Sequence, residues 1–430
     1  MSFFPVLPAA RTGDRRRLRR AVLALSTILL VAGPALASDP LSFAEAVRLA
    51  VARAPQLSAQ QAMADAAREM AGPAGELPDP KLKLGLENVP TSGADAWSLT
   101  RDFMTMQKVG LMQEFPREEK RRLRSQRAEN DAQRNAAAGE AARVAVERDA
   151  ATAWLARRFA ADTQRVVAEQ IAEAELAVAS IGAAYRAARA PQADLIAAQT
   201  MLVELRNRAT DAGAQSRRSS IALARFIGAE AERPPGEAPD MTRLPFGAAV
   251  LPDPELQPDV RLAQAQETIA RTDAELARAS KNSDWSAELT YAFRGSAYSN
   301  MISLMVSIDL PWSQGTRQDR ELAAKLRELD AARAMREDVT RMRVAEIDSM
   351  LAEWESAREQ AVRTRSEMLP LALQRREAAL AAYRSGTGTL AAVLDARRGE
   401  LDVRLSLIQQ EQTAAKAWAW LQFLPVAEKS

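Results

Sequence analysis

WSAELTYAFRGSAYSNMISLMVSIDLP, residues 285 to 311, decides the fold. Trp285, Ala287, Leu289, Tyr291 and Phe293 alternate with Ser286, Glu288, Thr290 and Arg294. After the polar RGSAYSN, Ile302, Leu304, Val306, Ile308 and Leu310 alternate with Ser303, Met305, Ser307 and Asp309. A period of two over such runs is the mark of strands with one apolar face. Everything around them reads as helix.

QPDVRLAQAQETIARTDAELARA precedes the strands, and a run from Arg317 to Leu369 without Gly or Pro follows them. Its apolar triplets fall at i, i+4 and i+7: Leu322, Leu326, Leu329; Met335, Val339, Met342; Ile347, Leu351, Trp354. Pro370 is expected to kink this rod. The break YRSGTGTLAAVLDA, 383 to 396, then leads into a last helix to about Phe423.

The first half has the same order. Ser42-Phe43-Ala44-Glu45 is a capping box opening a helix to about Met70, which Gly72, Pro73, Gly75, Pro78 and Pro80 end. Leu82, Leu84 and Leu86 alternate with Lys81, Lys83 and Glu87, and NVPTSGADAW leads to a second, less regular run from about Leu99 to Phe115. No proline then occurs between Pro116 and Pro191, so helical spacing over ~70 residues predicts a rod of ~100 Å. The break YRAARAPQADLIAAQ and a returning helix from about Ala193 to Phe226 complete this half. Pro116 and Pro311 lie about 195 residues apart and Tyr185 and Tyr383 about 198, so the halves are a duplication in register. The expected organisation is a first repeat over 38–233, a Pro-rich linker over 234–258 and a second repeat over 259–430.

Residues 1–37 read as a cleaved export signal: Arg11, Arg15, Arg16, Arg17, Arg19 and Arg20, then apolar Ala21 to Ala32, then Ala35-Leu36-Ala37. Six Arg and one Asp in that leader carry +5, so the formal charge of +2 becomes −3 without it, which removes the main support for a nucleic-acid partner. The chain has no cysteine, which fits an oxidising compartment and excludes a lipidated N-terminal Cys. With no histidine either, zinc sites and Ser-His-Asp constellations are unavailable, and no Gly-rich phosphate loop appears. The chain is not expected to be an enzyme or to carry a cofactor. Met104, Met106 and Met112 offer thioethers for a soft metal, but Met is an ordinary filler of apolar faces, and no metal site is assigned.

Four strands with one apolar face leave open edges and an uncovered surface. In lipid only a closed barrel satisfies every backbone group, and four strands are too few to enclose a channel, so several chains must share one barrel. Leu82, Leu84, Leu86, Leu289, Tyr291, Phe293, Ile302, Leu304, Val306 and Ile308 would then face lipid, with the Lys, Glu, Ser and Asp sets facing a wet interior.

In this order of elements the chain resembles the TolC family of outer-membrane efflux proteins over nearly all its mature length. DPKLKLGLENVP, RDFMTMQKVGLMQEFPREEKRRLR and AYSNMISLMVSIDLP are similar to the subgroup serving heavy-metal exporters of the cobalt-zinc-cadmium kind. The resemblance implies a mainly α fold with a membrane β-barrel: four strands per protomer of a trimeric twelve-stranded barrel, and a long α-helical, coiled-coil tunnel in the periplasm. It implies the exit duct of a tripartite RND-type pump for heavy-metal cations, working as a homotrimer in outer-membrane lipid with a periplasmic adaptor (membrane fusion protein) and an inner-membrane RND transporter. Drug efflux, type I protein secretion and a periplasmic adaptor remain alternatives.

The same resemblance makes the breaks at 186–192 and 385–389 the periplasmic tips, with Pro191, Gly386 and Gly388 as turn residues. Asp194 and Asp395 match aperture aspartates of the family, while Ala392 stands where some members are acidic. Arg186, Arg189 and Arg384 are gate-pair candidates by position. Each aspartate also suits a helix N-cap.

Overall fold

The structure is a computed structural model that describes residues 39–244 and 253–425. The predicted signal segment, the middle of the proline-rich linker and the last five residues lie outside the described residues. All elements below belong to the unit that begins at Pro40.

Helix α1, Phe43–Arg53, opens where the capping box places it: Ser42 Oγ accepts from the Glu45 amide at 3.2 Å. Ala54 is extended, as a residue before proline prefers, and α2, Pro55–Gly75, restarts with Pro55 in its first turn. The expected end near Met70 is thus corrected to Gly75. Pro73 cannot donate to the carbonyl four residues back, and the helix continues only two residues beyond it, to Gly75.

Strand β1 is Lys81–Glu87 and β2 is Met106–Phe115. The second strand begins seven residues later than its sequence pattern suggests. Asp102 Oδ1 accepts from the amides of Met104 at 2.8 Å and Thr105 at 3.2 Å, an Asx turn that occupies backbone donors a strand would need. Helix α3, Glu118–Arg186, is a single helix of 69 residues, about 100 Å long, and α4, Gln192–Ile227, returns beside it.

The second half contains α5 (Pro258–Ala279), β3 (Trp285–Phe293), β4 (Met301–Ile308), α6 (Gln318–Arg363), α7 (Leu369–Arg384) and α8 (Leu390–Gln422). Between α6 and α7 one π-helical turn, Thr364–Met368, accommodates Pro370: the Leu369 amide bonds Thr364 O, five residues back. Proline has no N–H and its ring crowds the carbonyl four residues earlier, and the wider turn removes that clash without ending the helix.

A large core sits where the two halves meet. Trp154, Trp354 and Trp418 pack there, and each indole N–H donates to a carbonyl of the non-helical segments: Leu41 at 3.0 Å, Met241 at 3.2 Å and Arg243 at 2.9 Å. Three long helices thereby hold the segment before α1 and the start of the proline-rich segment. A second core, with Ile181, Met201, Leu205, Leu390, Val393 and Leu401, ties α3, α4 and α8 together toward the tips.

Candidate membrane face and tip apertures

The four strands form one antiparallel sheet in the order β1-β2-β3-β4. Its register aligns Leu82, Leu111, Leu289 and Leu304 in one row and Leu84, Val109, Tyr291 and Ile302 in the next. Phe115, Trp285 and Ile308 form the row at the helical end, with the two rings stacked at 4.1 Å. Directly paired residues share a face, so all ten candidate lipid-facing residues stand on one side of the sheet. All ten are exposed, with Leu84 and Ile302 at 72%. Val109 and Leu111 of β2 belong to the same face and were not singled out from sequence, because Gln107 and Gln113 interrupt the alternation. Gln113 lies at the helical end, where its amide donates to Pro78 O at 2.7 Å.

The opposite face is polar and charge-balanced. Lys81 pairs with Glu114 at 2.5 Å, Lys83 with Glu288 at 2.5 Å, and Lys108 with Glu87. Gly110 sits under this face because Thr290 crosses it: a Cβ there would lie 2.7 Å from Thr290 Oγ1. Met106 and Met112 stand on this polar face beside Glu87 and Lys81, so the expectation that they fill an apolar face is corrected. Met104 lies in the loop before β2. Among the described residues no cluster of three or more His, Cys, Asp or Glu side chains could hold a metal ion.

Three layers of this unit leave the same two flanks open. The sheet ends in unpaired edges at β1 and β4. Nearest it, α2 packs on α3, α3 on α5 and α5 on α6; toward the tips, α4 packs on α3, α3 on α8, and α8 on α6 and α7. One flank therefore carries β1, α2 and α4, and the other β4, α6 and α7. Exposed Met63, Met70, Ile196 and Val203 lie on helices of the first; Met335, Met342, Met368 and Leu371 lie along the second.

At the tips both breaks use one device. Arg189 N bonds Ala184 O at 2.8 Å and Ala188 N bonds Tyr185 O at 2.9 Å; Thr387 N bonds Ala382 O at 3.0 Å and Gly386 N bonds Tyr383 O at 3.1 Å. This is the Schellman pattern twice, 198 residues apart, with the left-handed residue Ala188 at φ 54° in one copy and Gly386 at φ 78° in the other. Gly388 is required by close approach, since a Cβ would lie 2.9 Å from that of Ala382. Pro191 starts α4 in an extended conformation.

Neither tip aspartate is a helix cap. Pro191 precedes α4 with no side-chain cap, leaving Asp194 inside the first turn, and Thr389 caps α8 through its hydroxyl to the Ala392 amide at 3.3 Å. Asp395 instead pairs with Arg375 of α7 at 2.6 Å, both side chains being largely exposed. One turn further along, the carboxylate of Glu400 is fully buried between Arg376 at 2.9 Å and Arg404 at 2.6 Å. Arg375, Arg376 and Glu400 escaped sequence reading because the Arg375–Asp395 and Arg376–Glu400 pairs form across a hairpin with no distinctive motif. Arg186, Arg189 and Arg384 form no ion pair among the described residues of the chain.

No family model matches the sequence, and no curated protein matches it. Solved structures do. The outer membrane protein VceC from Vibrio cholerae superposes with a TM-score of 0.74 at 16% identity, over 90% of this chain and 97% of its own. The Campylobacter jejuni CmeC outer membrane channel gives 0.77 at 14% identity, over 90% and 87%, and CusC gives 0.77 at 16% over 90% and 92%. The chain has the fold of these proteins, the mainly α fold with four antiparallel strands that the resemblance to the TolC family implies.

Proposed function

We propose that the chain is one protomer of a homotrimeric outer-membrane channel, the exit duct of a tripartite RND-type efflux pump. The observation that carries this is the matched pair of open flanks beside an uncovered apolar sheet face. A head-to-tail contact joining β4, α6 and α7 of one copy to β1, α2 and α4 of the next satisfies both strand edges at once, and three copies close a ring of twelve strands. The apolar rows then face lipid, and the Lys–Glu pairs line a wet interior. CmeC is by name an outer membrane channel, VceC an outer membrane protein, and CusC a protein that forms a transmembrane channel, which supports the same placement here. Such a duct is not an enzyme: it positions a passage and needs no acid, base or cofactor.

The tips are the parts of the helices farthest from the sheet, and we assign them to docking of a periplasmic adaptor that connects the duct to an inner-membrane RND transporter. Asp395 and Asp194 are assigned to the aperture there. Heavy-metal cations are the favoured cargo, on the likeness of DPKLKLGLENVP and AYSNMISLMVSIDLP to heavy-metal outer-membrane factors. A periplasmic adaptor would carry one helical hairpin beside separate β domains, whereas here each strand pair is nested inside a duplicated helical frame.

Two measurements test the reading. Outer-membrane fractions should contain a heat-modifiable trimer, and its absence refutes the channel. Deleting the gene should sensitise cells to zinc, cadmium and cobalt; sensitivity to organic drugs alone would replace the metal cargo with drugs and leave the duct in place.

A further inference from the structure

The end of the sheet away from the helices carries two hairpin loops, 88–105 and 294–300, that lock into one cap. Arg294 donates to Phe103 O and lies 5.5 Å from the Tyr298 ring, Tyr298 Oη donates to Arg101 O at 3.5 Å, and Asn300 Nδ2 donates to Tyr291 Oη at 2.8 Å. Gly295 makes the approach possible: its φ is 82° and a Cβ would lie 2.6 Å from Thr100 O. Buried Thr105 closes the base by donating to Asn88 O at 2.9 Å.

This cap displays apolar side chains that it could have buried. Trp97 is 73% exposed, and Leu99, Phe103 and Met104 are exposed beside it. Trp97 is held at φ 59°, a region bulky residues avoid, by its amide's bond to Pro90 O at 2.7 Å. Strain of this kind persists where surrounding structure enforces it, and it concentrates at functional positions. The charged side chains of the cap are Asp95, Arg101, Asp102 and Arg294, which sum to zero, with Arg101 3.5 Å from Asp95. The cap thus has no electrostatic claim on a phosphate. It lies just beyond the last rows of the apolar face, Leu86, Tyr291 and Phe293, and Asn300 bonds that face through Tyr291 Oη. At the opposite end of that face Trp312, 88% exposed, and Leu310 occupy the matching place.

We propose that the cap is a lipid anchor. Trp97, with Leu99, Phe103 and Met104, inserts at the boundary between headgroups and acyl chains, as Trp312 does at the other end; indole rings favour that depth because one edge is apolar and the N–H is wet. This inference rests on the membrane reading above.

The test reconstitutes the full chain into phosphatidylcholine vesicles brominated on the acyl chains near the glycerol. Trp97→Phe should remove about a third of the lipid-quenchable tryptophan emission, because Trp285 and Trp312 supply the remainder. Aqueous iodide should quench the parent and the variant alike. Replacing part of the lipid with phosphatidylglycerol should change nothing, and quenching that requires the anionic lipid overturns the neutral anchor. If Trp285→Phe and Trp312→Phe lower lipid quenching while Trp97→Phe does not, the anchor is refuted and the membrane reading survives. If none of the three lowers it, the membrane reading itself fails. Heat-modifiable migration confirms that each variant assembles. Should Trp97→Phe not assemble, Leu99→Cys carrying a bimane label gives the same readout in a chain with no other cysteine.

Discussion

Leu289 stands at the middle of β3 in the row Leu82, Leu111, Leu289, Leu304, with no protein over it. An arginine on the lipid face of a barrel costs about 2–4 kcal/mol near the bilayer midplane. Leu289→Arg should therefore cost each protomer that amount and a trimer about 6–12 kcal/mol, which per protomer alone is a roughly 30-fold or larger loss of assembled channel. The control must be an arginine on the polar face at the same depth. Thr290 is unsuitable despite facing that way, because it is buried against Gly110. Ser303, its exposed neighbour on β4, pairs directly with Thr290 and has room. Outer-membrane fractions from both variants, run with and without heating, report the trimer. Loss of the Leu289→Arg trimer with retention of Ser303→Arg is expected. Equal assembly of the two would refute the assignment of the leucine row to lipid.

Ala188→Gly should stabilise the first tip by about 0.5–1 kcal/mol and Gly386→Ala should weaken the second by a similar amount, since glycine is the residue that takes a left-handed C′ position without strain; thermal melts of the solubilised trimer read both. Trp418→Phe keeps one aromatic ring but leaves the Arg243 carbonyl without its donor and the buried site short of the second ring, so a loss of about 2–4 kcal/mol is expected in the same melt. Arg375→Ala should free the Asp395 carboxylate and strengthen block by divalent cations in a planar bilayer, while Asp395→Asn should weaken it; identical block in both would remove Asp395 from the passage. Crosslinkers at Ala187 and Ser385 should capture an adaptor, and capture from the proline-rich segment alone would move the docking site away from the tips.

What the sequence shows most clearly is periodicity, and the long elements follow from it. The tip breaks fall where the chain bounds them, α3 ending at Arg186 and α7 at Arg384, because Pro191 and the Gly386/Gly388 pair leave no helical alternative. β2 was legible only in part. Its face includes Gln107 and Gln113, and its start is decided by the Asp102 turn, a side-chain bond that competes with the strand for donors. The roles of the tip aspartates were not legible at all. Capping depends on which residue has extended backbone at the helix start, and that residue is Thr389 in one repeat and Pro191 in the other. Likewise a buried Glu400 between two arginines has the same letters as any solvated helix face, and only the packing of α7 on α8 distinguishes it.

Charge is distributed differently along the proposed passage, and this bears on where selectivity arises. On the polar face of the sheet three lysines meet three glutamates, one to one, so that stretch presents no net charge to a permeating ion. Near the tips, α8 is tied to its neighbours by Arg397 to Glu173, Arg398 to Glu204 and Arg208 to Asp402, again in pairs. Asp395 is also paired, but with an exposed arginine on a long, flexible side chain, and an exposed pair of this kind holds by only about 0–1 kcal/mol. That is small enough for a docked partner's acidic group to draw Arg375 away. In a ring of three copies the carboxylates would then face one another uncompensated, which favours a bound cation. On the proposed function, an aperture lined by Asp395 would thus become cation-attracting when an adaptor is engaged, and stay neutral when it is not.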